Sequence, residues 1–122
     1  MNIQDFWDAV LKQDADRIRP FFREDAHINW HCTNERFTVE EYIRANCEYP
    51  GEWDGKIERI ETIGNLTVTA VNVFAKDRSI SCHVVSFLRT EKERIAAMDE
   101  YWGDDGEAPR WRREMGIGVP IR

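Results

Sequence analysis

The stretch "IAAMDEYWGDD" (residues 95–105) decides the fold that this sequence predicts. Its residues alternate as in a β-strand, in which successive side chains point to opposite faces of a sheet. One face carries Ala96, Met98, Glu100 and Trp102, and the other carries Ile95, Ala97, Asp99 and Tyr101. Glu100 therefore lies on an apolar face, between a methionine and a tryptophan. The position of this carboxylate decides between an enzyme, a binding protein and an association module.

Three similar runs precede this strand, and together they predict a β-meander. They are "KIERIETIG" (56–64), "LTVTAVNVFAK" (66–76) and "SISCHVVSFLR" (79–89), all rich in β-branched or aromatic residues. Turn signals separate them, at Gly64-Asn65, at Lys76-Asp77 and in the charged segment "TEKE". Short connections of this kind join neighbouring antiparallel strands.

The first half of the chain predicts helices. An apolar stripe recurs at helical spacing over residues 3–12, and Asp14 is a good N-cap for a short second helix that Pro20 bends or ends. Thr38 and Glu41 form a capping box that opens a third helix, "VEEYIRANCEY", and the Pro50-Gly51 turn ends it. The segment "DAHINWHC" (25–32) between them predicts a strand. The chain is thus of the α+β class, with three N-terminal helices packed on one face of an antiparallel sheet.

Length and charge limit the possible functions. The 122 residues predict one domain, 1–122, with a core over about 3–103 and a C-terminal tail over 104–122. Seventeen basic residues against 23 acidic ones give a net charge of -6, which argues against a nucleic-acid partner. No leader segment and no long apolar run is present, so no membrane partner and a cytoplasmic location are expected. The three widely spaced cysteines predict reduced thiols, with no metal site and no cofactor.

Three segments resemble the nuclear transport factor 2-like superfamily, which includes the ketosteroid isomerases and the SnoaL-like polyketide cyclases. They are "FWDAVLKQDADRI" (6–18), "FFREDAHI" (21–28) and "RIAAMDEYWG" (94–103). The resemblance extends from Ile3 to about Gly103. It implies a cone, in which the helices close over the concave face of a curved sheet and leave a pocket open at one end. A small apolar or aromatic ligand would occupy that pocket.

The ketosteroid isomerases place three catalytic groups at recognisable points of this pattern. The resemblance assigns their tyrosine to Phe6, their aspartate base to Trp30 and their second acid to Ser86. Phe6 has no proton to donate, and the Trp30 indole cannot accept one. Isomerisation by that family's route is therefore not predicted, and whether the protein is an enzyme stays open.

The same resemblance implies that Met98, Glu100 and Trp102 face the pocket, with Ser86 and Trp30 beside them. Burial would raise the pKa of Glu100 toward the range used for acid or base catalysis, with His31 at the strand end assisting it. The alternative is that Glu100 only holds the strand in place through an indole or arginine, and that His31 is a surface residue. The predicted ligand contacts are Trp7, Trp30, Asn46, Ser86, Met98 and Trp102.

Three hypotheses follow. The first is a cofactor-independent isomerase, cyclase or dehydratase that uses Glu100 as acid or base. The second is a protein that binds a small ligand in the same pocket without catalysis. The third is an association module, a homodimer formed through the convex sheet face, on which His83, Val85, Phe87 and Tyr101 lie. Fold alone does not choose between them.

Overall fold

The structure, a computed structural model, describes all residues from 1 to 122. Its elements are α1 (Ile3–Leu11), α2 (Ala15–Ile18), a 3₁₀ turn (Arg19–Phe21), β1 (Phe22–Trp30), β2 (Glu35–Thr38), α3 (Val39–Cys47), β3 (Trp53–Ile63), β4 (Leu66–Ala75), β5 (Ser81–Glu91), β6 (Arg94–Asp104) and α4 (Arg110–Glu114). None of these helices has both the length and the apolar character needed to cross a membrane.

Side-chain caps fix where the main helices begin. The Asp14 carboxylate accepts a hydrogen bond from the backbone N–H of Arg17 at the start of α2. At α3 the predicted capping box is complete. The Glu41 N–H donates to Thr38 Oγ1 at 3.2 Å, and the Thr38 N–H donates to the Glu41 carboxylate at 2.9 Å. Both capping predictions are confirmed.

The six strands form one sheet in the order β2-β1-β6-β5-β4-β3. The meander from β3 to β6 is antiparallel, as predicted. The sheet as a whole is mixed, however, because β1 pairs with β6 in parallel and sets Ile28 beside Met98 and Trp30 beside Glu100. β1 comes from the helical half of the chain and pairs with β6 on the side opposite to β5. That pairing joins distant parts of the sequence and leaves no local signal.

Strand β2 was not predicted. Its residues lie in "TNERFT", which has no apolar alternation, and they are mostly exposed. A tight turn after Trp30 brings them back onto β1, with Ile28 opposite Phe37 and Trp30 opposite Glu35. Pairing with β1 therefore makes this segment a strand.

The core lies between the helices and one face of the sheet. The helices contribute Phe6, Trp7, Val10, Tyr42 and Ile43, and the sheet contributes Ile28, Val71, Val84, Leu88 and Met98. All are buried, which confirms the inner face predicted for β5 and, on β6, the inward placement of Met98. Ile95 was expected on the outer face of β6, and that prediction is wrong: Ile95 is fully buried, since the strand register shifts between Arg89 and Thr90. Phe6 is fully enclosed and meets Trp7, Phe21 and Phe22 edge to face. The α+β class with three N-terminal helices on the sheet is confirmed, and the short helix α4 is added in the exposed tail.

Candidate functional site

A cavity of about 310 Å³ lies between the helices and one end of the sheet. Its size falls at the lower end of small-molecule sites, which span roughly 300–1,000 Å³. Sixteen residues line it: Trp7, Val10, Leu11, Gln13, Trp30, Cys32, Thr33, Ala45, Asn46, Tyr49, Trp53, Val73, Ile80, Cys82, Trp102 and Asp104. Twelve of the sixteen are hydrophobic, so the cavity can remove an apolar ligand from water.

Aromatic rings form much of the cavity wall. The rings of Trp30 and Trp102 lie 6.2 Å apart at 69°, and those of Tyr49 and Trp53 lie 5.3 Å apart at 60°. Trp7 on α1 is the fifth aromatic residue in the lining. Rings at steep angles present both faces and edges to the space between them.

Hydrogen bonds hold three of the four indoles in place. Trp7 Nε1 donates to Thr69 Oγ1 at 3.2 Å, and Trp53 Nε1 donates to the Pro50 carbonyl at 3.2 Å. Trp30 Nε1 donates to the Glu100 carboxylate at 3.0 Å. The wall is therefore fixed in shape before any ligand binds.

Two side-chain amides tie the ends of the helices together beside the cavity. Asn46 Nδ2 donates to the Val10 carbonyl at 3.0 Å, so α3 is fastened to α1. Gln13 Nε2 donates to the carbonyls of Asn46 and Tyr49, each at 2.8 Å. Gln13 adopts a left-handed backbone, with φ of 54°, two residues after the end of α1. Asn46 thus has partners for its amide and also lines the cavity.

Glu100 is 1% exposed and sits in a polar network within the core. One carboxylate oxygen accepts from Trp30 Nε1 at 3.0 Å, and the other accepts from Ser86 Oγ at 2.5 Å. Burial raises the pKa of Glu100 to about 7, although the hydrogen bonds from Ser86 and Trp30 and the nearby Trp102 indole act to lower it. Trp102 Nε1 itself is buried and lies outside hydrogen-bonding geometry with any acceptor. The carboxylate is therefore shared between charged and neutral forms near pH 7.

The cavity and the Glu100 network are adjacent but distinct. Glu100 is absent from the cavity lining, whereas Trp30 and Trp102, the two tryptophans beside it, are both part of that lining. Ser86 and Met98 are fully enclosed and also do not reach the cavity. Of the predicted ligand contacts, Trp7, Trp30, Asn46 and Trp102 line the cavity. Glu100 lies one layer behind that wall.

His31 is held on the opposite face of the sheet from Glu100. Its Nε2 lies 2.7 Å from a carboxylate oxygen of Asp99, and its ring stacks on Tyr101 with the centroids 4.5 Å apart. Partial burial acts to raise the pKa of Asp99, but hydrogen bonds from Asn29 and His31 outweigh it and lower that pKa overall. The backbone N–H of His31 donates to the Glu100 carbonyl at 3.1 Å, but alternation places the imidazole and the Glu100 carboxylate on opposite faces of the sheet.

Sequence reasoning missed several lining residues. Cys32 and Thr33 belong to the turn after β1, and Ile80 lies just before β5, where no periodic pattern operates. Asp104 could have been found, since it follows Trp102 by two residues on β6 and so shares its face.

Burial raises the pKa of Cys82 to about 11, with the charges of Asp104 and Asp105 adding to that effect. Its thiol is therefore unreactive at neutral pH.

The opposite face of the sheet carries exposed apolar side chains. Val85 is 37% exposed, Phe87 36% and Tyr101 44%, and the rings of Phe87 and Tyr101 meet edge to face. His83 on this face is held between Asp105 and Glu58. Hydrogen bonds to Asp105 above all, then to Glu58, raise the pKa of His83.

Nowhere does the structure bring three or more metal-ligating side chains into an arrangement that could hold an ion.

No family model and no curated protein matches this sequence. Solved structures do match its fold. A candidate ketosteroid isomerase from Kribbella flavida superposes with a TM-score of 0.81 at 23% identity, over 98% of this chain and 87% of that one. An NTF2-like protein of unknown function from Burkholderia xenovorans gives 0.77 at 21% identity, over 97% and 92%.

A third protein, with a ketosteroid isomerase-like fold, comes from Catenulispora acidiphila and was solved in complex with trimethylamine. It gives a TM-score of 0.68 at 14% identity, over 81% of this chain and 82% of that one. Other matches are described as SnoaL-like polyketide cyclases. At these identities the similarity establishes the fold, and the activity must be argued from the site.

Proposed function

We propose that this chain, which has the nuclear transport factor 2-like fold, binds a small apolar or aromatic molecule in the cavity between its helices and sheet. The observation that carries the proposal is the cavity itself, about 310 Å³ in volume and walled by four tryptophans and a tyrosine. Three of the four indoles are fixed by hydrogen bonds, so little ordering is needed when a ligand enters. A small molecule is bound in one protein of the same fold.

Native mass spectrometry of the freshly purified protein tests this proposal. We expect a small molecule to remain bound under gentle ionisation and to be lost from the Ala45→Trp variant, whose new side chain would fill the cavity. The control is Ala108→Trp, the same substitution in the exposed tail. Equal occupancy in the two variants would place the bound molecule elsewhere. A protein that stays empty and also binds no aromatic compound in solution would contradict the proposal.

A second candidate function is acid or base catalysis by Glu100 on that ligand. Its support is the near-neutral pKa, which burial produces and which suits a group that must exchange protons at pH 7. Trp30 and Ser86, at two positions that the isomerase resemblance assigns to catalysis, are also the two hydrogen-bond donors to Glu100. No cofactor is part of this proposal.

Turnover of the recovered compound separates catalysis from binding alone. If Glu100 is the acid or base, Glu100→Gln should slow consumption of the compound by about a hundredfold or more and leave its affinity nearly unchanged. Unaltered consumption by this variant would remove Glu100 from the mechanism. Failure of the wild-type protein to consume the compound at all would leave the binding function only.

We also propose that two copies associate through the exposed apolar side chains of the convex face, Val85, Phe87 and Tyr101. Phe87→Glu should give monomers in analytical ultracentrifugation, because a charge would be buried without a partner. Ile63→Glu is the control, at an apolar side chain that is more exposed than Phe87. A dimer that survives Phe87→Glu rules out this interface.

The three unpaired cysteines favour a reducing, cytoplasmic location.

A further inference from the structure

The cavity lining contains one acidic side chain and no basic one. Among the sixteen lining residues there is no lysine, arginine or histidine, and the only acid is Asp104. Asp104 is an exposed residue at the end of β6, and its carboxylate has no side-chain partner in an ion pair or a hydrogen bond. The protein's net charge of -6 adds a general attraction for cations. An anionic ligand would meet repulsion and no countercharge in this cavity.

The hydrogen-bonding groups that the lining leaves free are acceptors, which also suit a cation that donates hydrogen bonds. The amide NH₂ groups of Gln13 and Asn46 donate to backbone carbonyls, and these acceptors fix which end of each amide is the oxygen. The Thr33 hydroxyl donates to Glu35 at 2.7 Å. Neither Gln13 Oε1 nor Asn46 Oδ1 accepts a bond from the protein. The lining therefore offers unused acceptors.

The indole donors are also unavailable to a ligand. Those of Trp7, Trp30 and Trp53 are engaged inside the protein, and that of Trp102 is shielded from solvent. What these side chains present to the cavity is their π-systems. The face of an indole attracts a cation placed within about 6 Å of its ring centroid. Aromatic walls, free acceptors and a lone carboxylate are all complementary to the same ligand chemistry.

From this charge complementarity we propose that the cavity selects an organic amine with an apolar or aromatic body, bound as its ammonium cation. The ammonium lies toward Asp104 and the aromatic rings, and the apolar body fills the space between Trp7, Trp30 and Trp102. This inference rests on the proposed binding function and names its ligand class.

Three probes with one phenyl ring and a similar chain length separate the possibilities. They are 2-phenylethylammonium, the neutral 2-phenylethanol and the anionic 3-phenylpropanoate, each titrated calorimetrically into the full chain at pH 7. We expect the cation to bind about tenfold more tightly than the alcohol, and the anion to bind too weakly to detect. Equal or tighter binding of the alcohol or the anion would overturn the ligand class and leave the binding function standing.

A charge-matched pair of variants locates the effect. Asp104→Asn should weaken binding of the cation about fivefold and weaken binding of the alcohol much less. Asp16→Asn removes the same charge from a side chain that is 96% exposed on α2, and it should bind all three probes like the wild-type protein. Equal losses in the two variants would show that only net charge matters and would overturn the proposed site. If none of the probes binds, both the ligand class and the proposed binding function fail.

Discussion

Replacing Glu100 by Gln should make the protein more stable at alkaline pH and leave it almost unchanged near pH 4.5. Burial raises the pKa of this carboxyl from its ordinary value of 4.5 to about 7. The folded state therefore holds a proton that the unfolded state releases between these two pH values. That proton stabilises the fold below about pH 4.5, and the contribution is lost as the pH rises to about 7. At 1.36 kcal/mol for each pKa unit, the loss is about 3 kcal/mol.

A glutamine mimics the protonated acid at every pH. Its carbonyl oxygen can accept from Trp30 Nε1, and its amide can donate to Ser86 Oγ. The free energy of unfolding should thus be similar for variant and wild type at pH 4.5, and about 3 kcal/mol higher for the variant at pH 8. Groups outside this network contribute equally to both proteins, so the difference isolates Glu100.

Urea denaturation followed by tryptophan fluorescence, at intervals from pH 4.5 to 8, measures this difference. Glu61→Gln serves as the control, since Glu61 is an exposed glutamate paired with Arg59. It should unfold in parallel with the wild-type protein across the range. A constant difference between Glu100→Gln and wild type at all pH values would refute the argument, because the carboxyl would then titrate alike in the folded and unfolded chains.

Two further substitutions test the packing around the site. Trp30→Phe keeps a ring but removes the donor to Glu100, so the pKa of Glu100 should rise further and the free energy of unfolding at pH 8 should fall by about 1–3 kcal/mol. Gly55→Ala places a Cβ 2.8 Å from the Asn72 carbonyl, so thermal melting should show a loss of about 1–3 kcal/mol. Gly103→Ala has open space around it and should melt like the wild-type protein. Equal melting of both alanine variants would show that β3 and β4 shift apart at Gly55 at no cost in stability.

Local signals predicted most of the fold. Alternation along β6 placed Glu100 and Trp102 on the buried face, and the Thr38 capping box located the start of α3 correctly. The parallel pairing of β1 with β6 could not be predicted in this way, because it depends on where the helices return the chain to the sheet. The strand β2 depended in turn on β1.

The candidate site was only partly predictable for a different reason. Alternation gives the face on which a side chain lies but not its depth. Glu100 and Trp30 share the inner face, yet Trp30 reaches the cavity and Glu100 lies behind it. For His31, alternation indicated the face opposite to Trp30. The hypothesis that His31 assists Glu100 did not take account of Asp99 and Tyr101, which hold the ring on that other face.

For Glu100 to act on a ligand, one of the two indoles in front of it must move. Turning Trp30 away would break its hydrogen bond to the carboxylate, which is worth about 1.5–3 kcal/mol when the acceptor is charged. Turning Trp102 gives up only the weaker effect of its nearby indole on the carboxylate, because its Nε1 lies outside hydrogen-bonding geometry. Access through Trp102 therefore costs less. The same asymmetry predicts that Trp102→Phe changes the free energy of unfolding at pH 8 by less than about 0.5 kcal/mol, well below the loss from Trp30→Phe. Equal losses in urea denaturation of the two variants would mean that both indoles bind Glu100, and the carboxylate would then be closed off from the cavity on both sides.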